Sequence, residues 1–297
     1  ANAMSLTGAV QAGHKLNANA VQQLTVDSQA QLFSSDSIEL SADAIQLDGY
    51  AGAENSMTAI AANNLTAGTT AQLESNGLIA LQSKNADIDL QGKTYAQNQM
   101  ISAQKNLNIA AGASVTTVGD LNITADTLNN TGAVNTQQLT KAQLKKLNNQ
   151  GSLISDKFEL STLDSLNNSG KLISNQDLEL NTAALTNTQN SILAGNSNLN
   201  LHINGADFNN QGVISAVGSL VLDAAQINTV NNGSLSAGNQ LNIDTQMLDN
   251  PGKLNASAVN ISASDVNNSA NIIGSTVKIN ADKKADSAIV NSGEIYA

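Results

Sequence analysis

The sequence predicts an all-β chain wound as a right-handed parallel β-helix, a solenoid of about fourteen coils with roughly twenty residues in each. Three observations carry this expectation. The first is a repeat: Leu128-Asn129-Asn130-Thr131-Gly132, Leu147-Asn148-Asn149-Gln150-Gly151, Leu166-Asn167-Asn168-Ser169-Gly170 and Phe208-Asn209-Asn210-Gln211-Gly212 share one grammar. Its marker, the second Asn of each copy, is placed at Asn130, Asn149, Asn168, Asn187, Asn210, Asn232, Asn250, Asn268 and Asn291, in steps of 18 to 23 residues. That step suits one solenoid coil and is too short for a helical-hairpin repeat, which needs roughly 33 residues or more. The second is alternation, with Leu, Ile and Val separated by Asn, Ser, Thr and Asp in the period-two pattern of half-buried strands. The third is composition: aromatics are only 2% of 297 residues, fewer than a globular core of that size would use.

Taken in order, Ala1-Asn2-Ala3-Met4 resembles the remnant of a cleaved expression tag and is set aside from fold reasoning. Residues 5–120 carry strand pairs without the Asn-Asn-x-Gly punctuation, as in Leu24-Thr25-Val26, Ile38-Glu39-Leu40, Ile45-Gln46-Leu47, Ile88-Asp89-Leu90 and Leu107-Asn108-Ile109. They read as less regular coils of the same helix, with Gly49 to Thr70 either a loop or a broader coil. Residues 121–297 continue them as regular coils. Each holds an aliphatic-x-aliphatic strand (Leu121-Asn122-Ile123, Phe158-Glu159-Leu160, Leu199-Asn200-Leu201, Leu241-Asn242-Ile243). A lone aliphatic before the Asn pair follows, then a third strand after the turn, such as Leu172-Ile173 or Ile192-Leu193. Three short strands per coil is the β-helix pattern.

Asn tolerates left-handed backbone and hydrogen-bonds its own turn, so it suits a corner between strands. Coils stacked about 4.8 Å apart place equivalent corner side chains directly above one another, so the nine Asn residues are expected to form an amide ladder. Residues 137–147 break the pattern, because Lys141 falls in a slot that Leu160 fills in the next copy. A charge there would be costly to bury. The segment is therefore expected to be a slipped strand with Lys141 pointing out, the alternative being a short helix on the flank.

Formal charge is −11 and every cation is Lys. A nucleic-acid partner, which calls for a basic footprint with Arg forks, is not expected. There is no Cys. A large repeat array can do without disulfides, and their absence suits a chain that crosses an oxidising compartment unfolded. No run of eighteen apolar residues marks a membrane-spanning helix. No cofactor is called for: the Gly-rich phosphate loop, the nucleophile elbow and the calcium-binding nonapeptide are all missing.

Carboxylate pairs are where catalytic groups would lie, because β-helices also serve as polysaccharide lyases and hydrolases whose sites cluster carboxylates with a cation. The candidates are Asp87 with Asp89, and Glu39 with Asp43. Without Arg, and without a His near either pair, they read as solvated strand positions, so no catalytic residue is assigned. His14 and His202 are isolated, with His202 outward between Leu201 and Ile203; neither has metal-ligand spacing.

The grammar Leu-Asn-Asn-x-Gly-x-Leu/Ile-x-Ser/Ala followed by Leu-x-Leu resembles the roughly twenty-residue repeat of filamentous haemagglutinins, which also builds the shafts of contact-dependent growth inhibition toxins and related two-partner-secretion exoproteins. The resemblance is strong over 121–297 and weaker over 5–120. It implies a non-catalytic shaft segment of a large exoprotein, secreted to the surface of a Gram-negative cell through a dedicated outer-membrane transporter. Such a shaft projects a receptor-binding or toxin region toward a receptor or glycan on a target cell. The family's amino-terminal Asn-Pro-Asn motifs are missing, the one Pro being Pro251, so an internal segment is expected. Fourteen coils would make a monomeric rod on the order of 65–70 Å long. The alternative is a β-helical polysaccharide lyase or hydrolase, or a glycan-binding module.

Overall fold

The computed structural model describes residues 1–205, 207–281 and 286–297, with the backbone alone at 162, 163 and 225–228. The coil expected through 206 and 282–285 lies outside the described residues. The described chain contains strands and no helix, and it is a β-solenoid of about fourteen turns.

Every strand pair is parallel, and partners lie one coil apart in sequence, as in Gln23↔Ala44, Leu178↔Leu199 and Leu254↔Ile272. Each coil has three strand slots. The first holds the aliphatic-x-aliphatic strand, such as Leu199–Ile203; the second is the short strand that ends on the corner residue, such as Phe208–Asn210; the third follows the turn, such as Val213–Ala216. Period-two alternation decides what is inside. Leu199, Leu201 and Ile203 are buried while Asn200 and His202 face outward.

The chain divides into two compact units, residues 1–144 with 151–155, and residues 145–150 with 156–297. In the first unit the second slot runs Ala3–Leu6, Gln23–Val26, Ala44–Leu47, Leu65–Ala67, Ile88–Leu90, Asn106–Ile109 and then the end of Leu121–Asn130. The register makes Leu6, Val26, Leu47, Ala67, Leu90 and Ile109 the successive corner residues, with Asn130 after them. Residues 5–120 thus differ from the later coils at that corner, which is aliphatic until Asn130, and a register shift falls between Ser75 and Leu78. Strand pairing begins at Ala3, so residues 3 and 4 are part of the first coil. Gly49 to Thr70 is ordinary coil: Tyr50–Ala53, Ser56–Ala61 and Leu65–Ala67 are its three strands.

Residues 137–147 lie inside one strand, Ala133–Asn149. Thr140, Ala142, Leu144 and Leu147 are buried and Lys141 is exposed. The slip moves the ammonium to water, where its desolvation cost vanishes.

The second unit repeats the same arrangement. Its first slot stacks from Phe158 through Leu178, Leu199, Leu220, Leu241 and Val259 to Val277. Phe158 and Phe208 fill its core.

Candidate functional site

The asparagine corner is the most ordered polar feature of the second unit. Seven side-chain hydrogen bonds join Asn149, Asn168, Asn187, Asn210, Asn231, Asn250, Asn268 and Asn291, each Nδ2 donating to the next Oδ1 at 2.6–2.9 Å. The other Nδ2 hydrogen is also used: Asn149, Asn168 and Asn210 donate to the carbonyls of Lys171, Ile192 and Ser234 at 2.9–3.1 Å. A buried amide is tolerated when its donors and acceptor are all paired, and the column pairs them. Asn130, in the first unit, bonds the Ser152 carbonyl and accepts from the Gly132 N–H.

One expected member is corrected. Asn232 is exposed and its neighbour Asn231 occupies the slot, paired with Asn210 in register. Thr229 stands where the neighbouring copies have an aliphatic residue or Phe, and Val230 in register with Asn209. Counting the second Asn of the pair therefore overshot by one. Glycine was the better ruler: Asn130, Asn149, Asn168, Asn210, Asn231, Asn250 and Asn291 each precede a Gly by two residues. Gly is missing at two corners: after Asn268 Ala270 takes its place in a turn of the usual length, and after Asn187 the turn is longer. There Asn190 takes a φ of 66° and the Ser191 hydroxyl bonds the Asn187 Oδ1 at 2.7 Å.

The expected carboxylate pairs are engaged with neighbours from adjacent coils. Asp87 accepts the N–H and Nδ2 of Asn106 at 2.9 and 3.0 Å, and Asp89 accepts Asn108 Nδ2 at 2.7 Å. Glu39 pairs with Lys15 at 2.5 Å, and Asp43 accepts Asn63 Nδ2 at 2.7 Å. These are cross-strand pairs on outward faces. Asp177 belongs to another: the Asn198 N–H, with the Ser197 hydroxyl, holds its carboxyl below the usual carboxylate range.

The two histidines stay apart. The backbone carbonyl of His14 accepts the Ser34 hydroxyl, in the first unit. His202 Nδ1 lies 3.3 Å from Asp223 Oδ2 on the outward face of the second unit, and Asp244 is the next residue in that column. A shallow groove of about 460 Å³ opens beside Asp244, bordered by Asn242, Asn260 and Lys278. Sequence spacing could not signal this meeting, since His202 and Asp223 are brought together only by the stacking register. Among the described residues no group of three or more His, Cys, Asp or Glu could hold a metal, and no helix is long and apolar enough to cross a membrane.

Comparison with protein-family models, with curated proteins and with solved structures finds no match to the chain.

Proposed function

We propose that this chain is a non-catalytic shaft segment of a large secreted exoprotein of the filamentous haemagglutinin type, exported by a two-partner-secretion transporter to the surface of a Gram-negative cell. One observation carries the reading: the repeat grammar it shares with those shafts is realised as a continuous amide column, a device that supports a stack of coils and offers nothing to a substrate. The outward carboxylates agree, because Asp87, Asp89, Glu39 and Asp43 already have partners in neighbouring coils. A shaft needs length and stiffness, and nearest-neighbour stacking supplies both without a catalytic centre.

Small-angle scattering at several concentrations tests the proposal. An elongated monomer is expected, with a radius of gyration clearly above the roughly 19 Å of a compact 297-residue globule. A compact particle would sink it. The second reading, a polysaccharide lyase or hydrolase, is favoured by the His202–Asp223 contact beside the groove at Asp244 and Lys278. It predicts new reducing ends or unsaturated products from a panel of polysaccharides, lost in Asp223→Asn; the shaft reading predicts none.

A further inference from the structure

The chain has three Phe and three Tyr, and half of these six lie on one outward face of the first unit. The third-slot strands Gln31–Ser34, Tyr50–Ala53, Gln72–Ser83 and Lys93–Ala103 present two outward columns there. One runs Gln31, Tyr50, Gln72, Lys93; the other runs Phe33, Gly52, Glu74, Tyr95. Phe33 is 41% exposed and Tyr95 48%, although aromatic surface is what a solenoid with a spare aromatic would be expected to bury. Leu32, Ala51 and Leu73 already fill the interior behind them, so the rings add nothing to the core.

The arrangement is built. The Phe33 and Tyr50 rings lie 5.0 Å apart, tilted by 38°. Tyr50 is laid across Gly52: a Cβ there would come within 2.5–2.9 Å of its hydroxyl oxygen and ring carbons. Its hydroxyl donates to Glu74 Oε2 at 3.0 Å, which pins the ring flat. Partial burial and the Glu74 carboxylate push the Tyr50 phenol up from its ordinary 10.0, keeping it a donor. Two polar grooves of about 320 and 270 Å³ flank this ridge, one walled by Gln29, Gln31 and Gln72, the other by Glu54, Glu74 and Asn76. In its own column Tyr95 lies two coils beyond Gly52, about 10 Å away at the interstrand spacing.

We infer that this strip binds a neutral, extended glycan of a few pyranose units. Exposed rings in a row offer π faces to the C–H faces of pyranoses. Gln29, Gln31 and Gln72 on one flank supply donors and acceptors for hydroxyl groups; on the other, Glu54 and Glu74 accept from Asn76 and Tyr50 and, as carboxylates, have further lone pairs to offer, the apolar-platform-with-polar-margins chemistry of small-ligand sites. Charge sets the class. Glu54 and Glu74 border the rings against the single cation Lys93, in a chain of net charge −11, a balance that disfavours sulfated or uronic glycans. The inference adds a ligand to the shaft and does not depend on the shaft's being inert.

Calorimetric titration of the whole chain with cellohexaose and hexa-N-acetylchitohexaose, and with a heparin hexasaccharide as the acidic control, tests it. Saturable binding of a neutral hexasaccharide is expected, weakened at least about fivefold in Phe33→Ala and again in Tyr95→Ala; thermal unfolding should be unchanged in Tyr95→Ala and lowered in Phe33→Ala only by the loss of its contact with Tyr50. Tyr95→Phe should retain most of the affinity, since the ring is what is used. Failure of both neutral sugars to bind, binding of heparin alone, or affinity indifferent to both substitutions would overturn the inference. So would sedimentation showing that the two substitutions abolish self-association instead, for the strip would then be an interface between copies. Cleavage of a bound sugar would overturn the non-catalytic shaft and leave the strip standing; a compact scattering profile would do the same.

Discussion

A buried amide column is an all-or-none device. From Asn168 to Asn268, each corner Asn of the second unit gives a hydrogen to one neighbouring coil and takes one from the other, so a single foreign side chain strands groups on both sides. In the first unit the same corner is uniformly aliphatic, from Leu6 to Ile109, and needs no partner. At Asn130 the change is accommodated because its Oδ1 turns to the Gly132 N–H. The prediction is asymmetric between neighbours. Asn231→Ala removes the acceptor of Asn210 and the donor to Asn250, and should cost about 2–4 kcal/mol. Asn232→Ala, one residue on at an exposed position, should change stability by less than about 0.5 kcal/mol. Urea unfolding of the two variants decides it. Equal effects would mean that the column contributes nothing to the fold.

At the scale of the strand and turn, glycine sets how closely successive corners approach. A Cβ on Gly233 would meet the Gly212 carbonyl oxygen at 2.1 Å, and that oxygen is backbone, which cannot swing aside. Gly233→Ala should therefore force the coils apart at that corner and cost at least about 2 kcal/mol. Gly13→Ala, where nothing lies within 4 Å of the added carbon, should be neutral or slightly stabilising through the unfolded chain. Matched thermal melts of the two variants measure the contrast. This same chemistry explains what the sequence made legible. Alternation gave the strands, and the Asn-x-Gly turn gave the coil length, because both are local. Placement of Asn231 was misread where Thr229 and Val230 replaced the usual residues, although the glycine two positions on carried the register. The slip at Lys141 was legible from the cost of burying an ammonium. The outward meetings were not. Glu39 with Lys15, His202 with Asp223 and the ring row from Phe33 to Tyr95 join residues one or more coils apart, and steps of 18 to 23 leave such neighbours undetermined until the turns are placed.

For the stack as a whole, stability is a sum over neighbouring coils, so a coil that lacks a neighbour on one side should be the weakest wherever in the chain it lies. In the 297-residue chain taken alone, the coil of Ala288–Asn291 and Glu294–Tyr296 pairs with one described neighbour. Ile289 and Ile295 continue the inward columns of Val266 and Ile272, yet Ile289 is 50% and Ile295 39% exposed while the earlier pair is buried. Asn291 ends the amide column, its Nδ2 bonding the Gly293 carbonyl of its own turn. Each aliphatic left half in water forgoes a good part of the roughly 1.5–3 kcal/mol that full burial would contribute. Local opening should then begin at this coil, well below the free energy needed to open the interior. Hydrogen exchange read by mass spectrometry should find the amides of Ala288–Asn291 and Glu294–Tyr296 at least about tenfold less protected than those of Ala258–Ser262 and Asp265–Asn268, a difference of about 1.4 kcal/mol in opening free energy. Equal protection that survives tenfold dilution would show that the solenoid opens as one cooperative body, and the nearest-neighbour account would fail. Equal protection that disappears on dilution would instead mean that a second copy covers Ile289 and Ile295, with the exposed edge acting as a template for another strand layer.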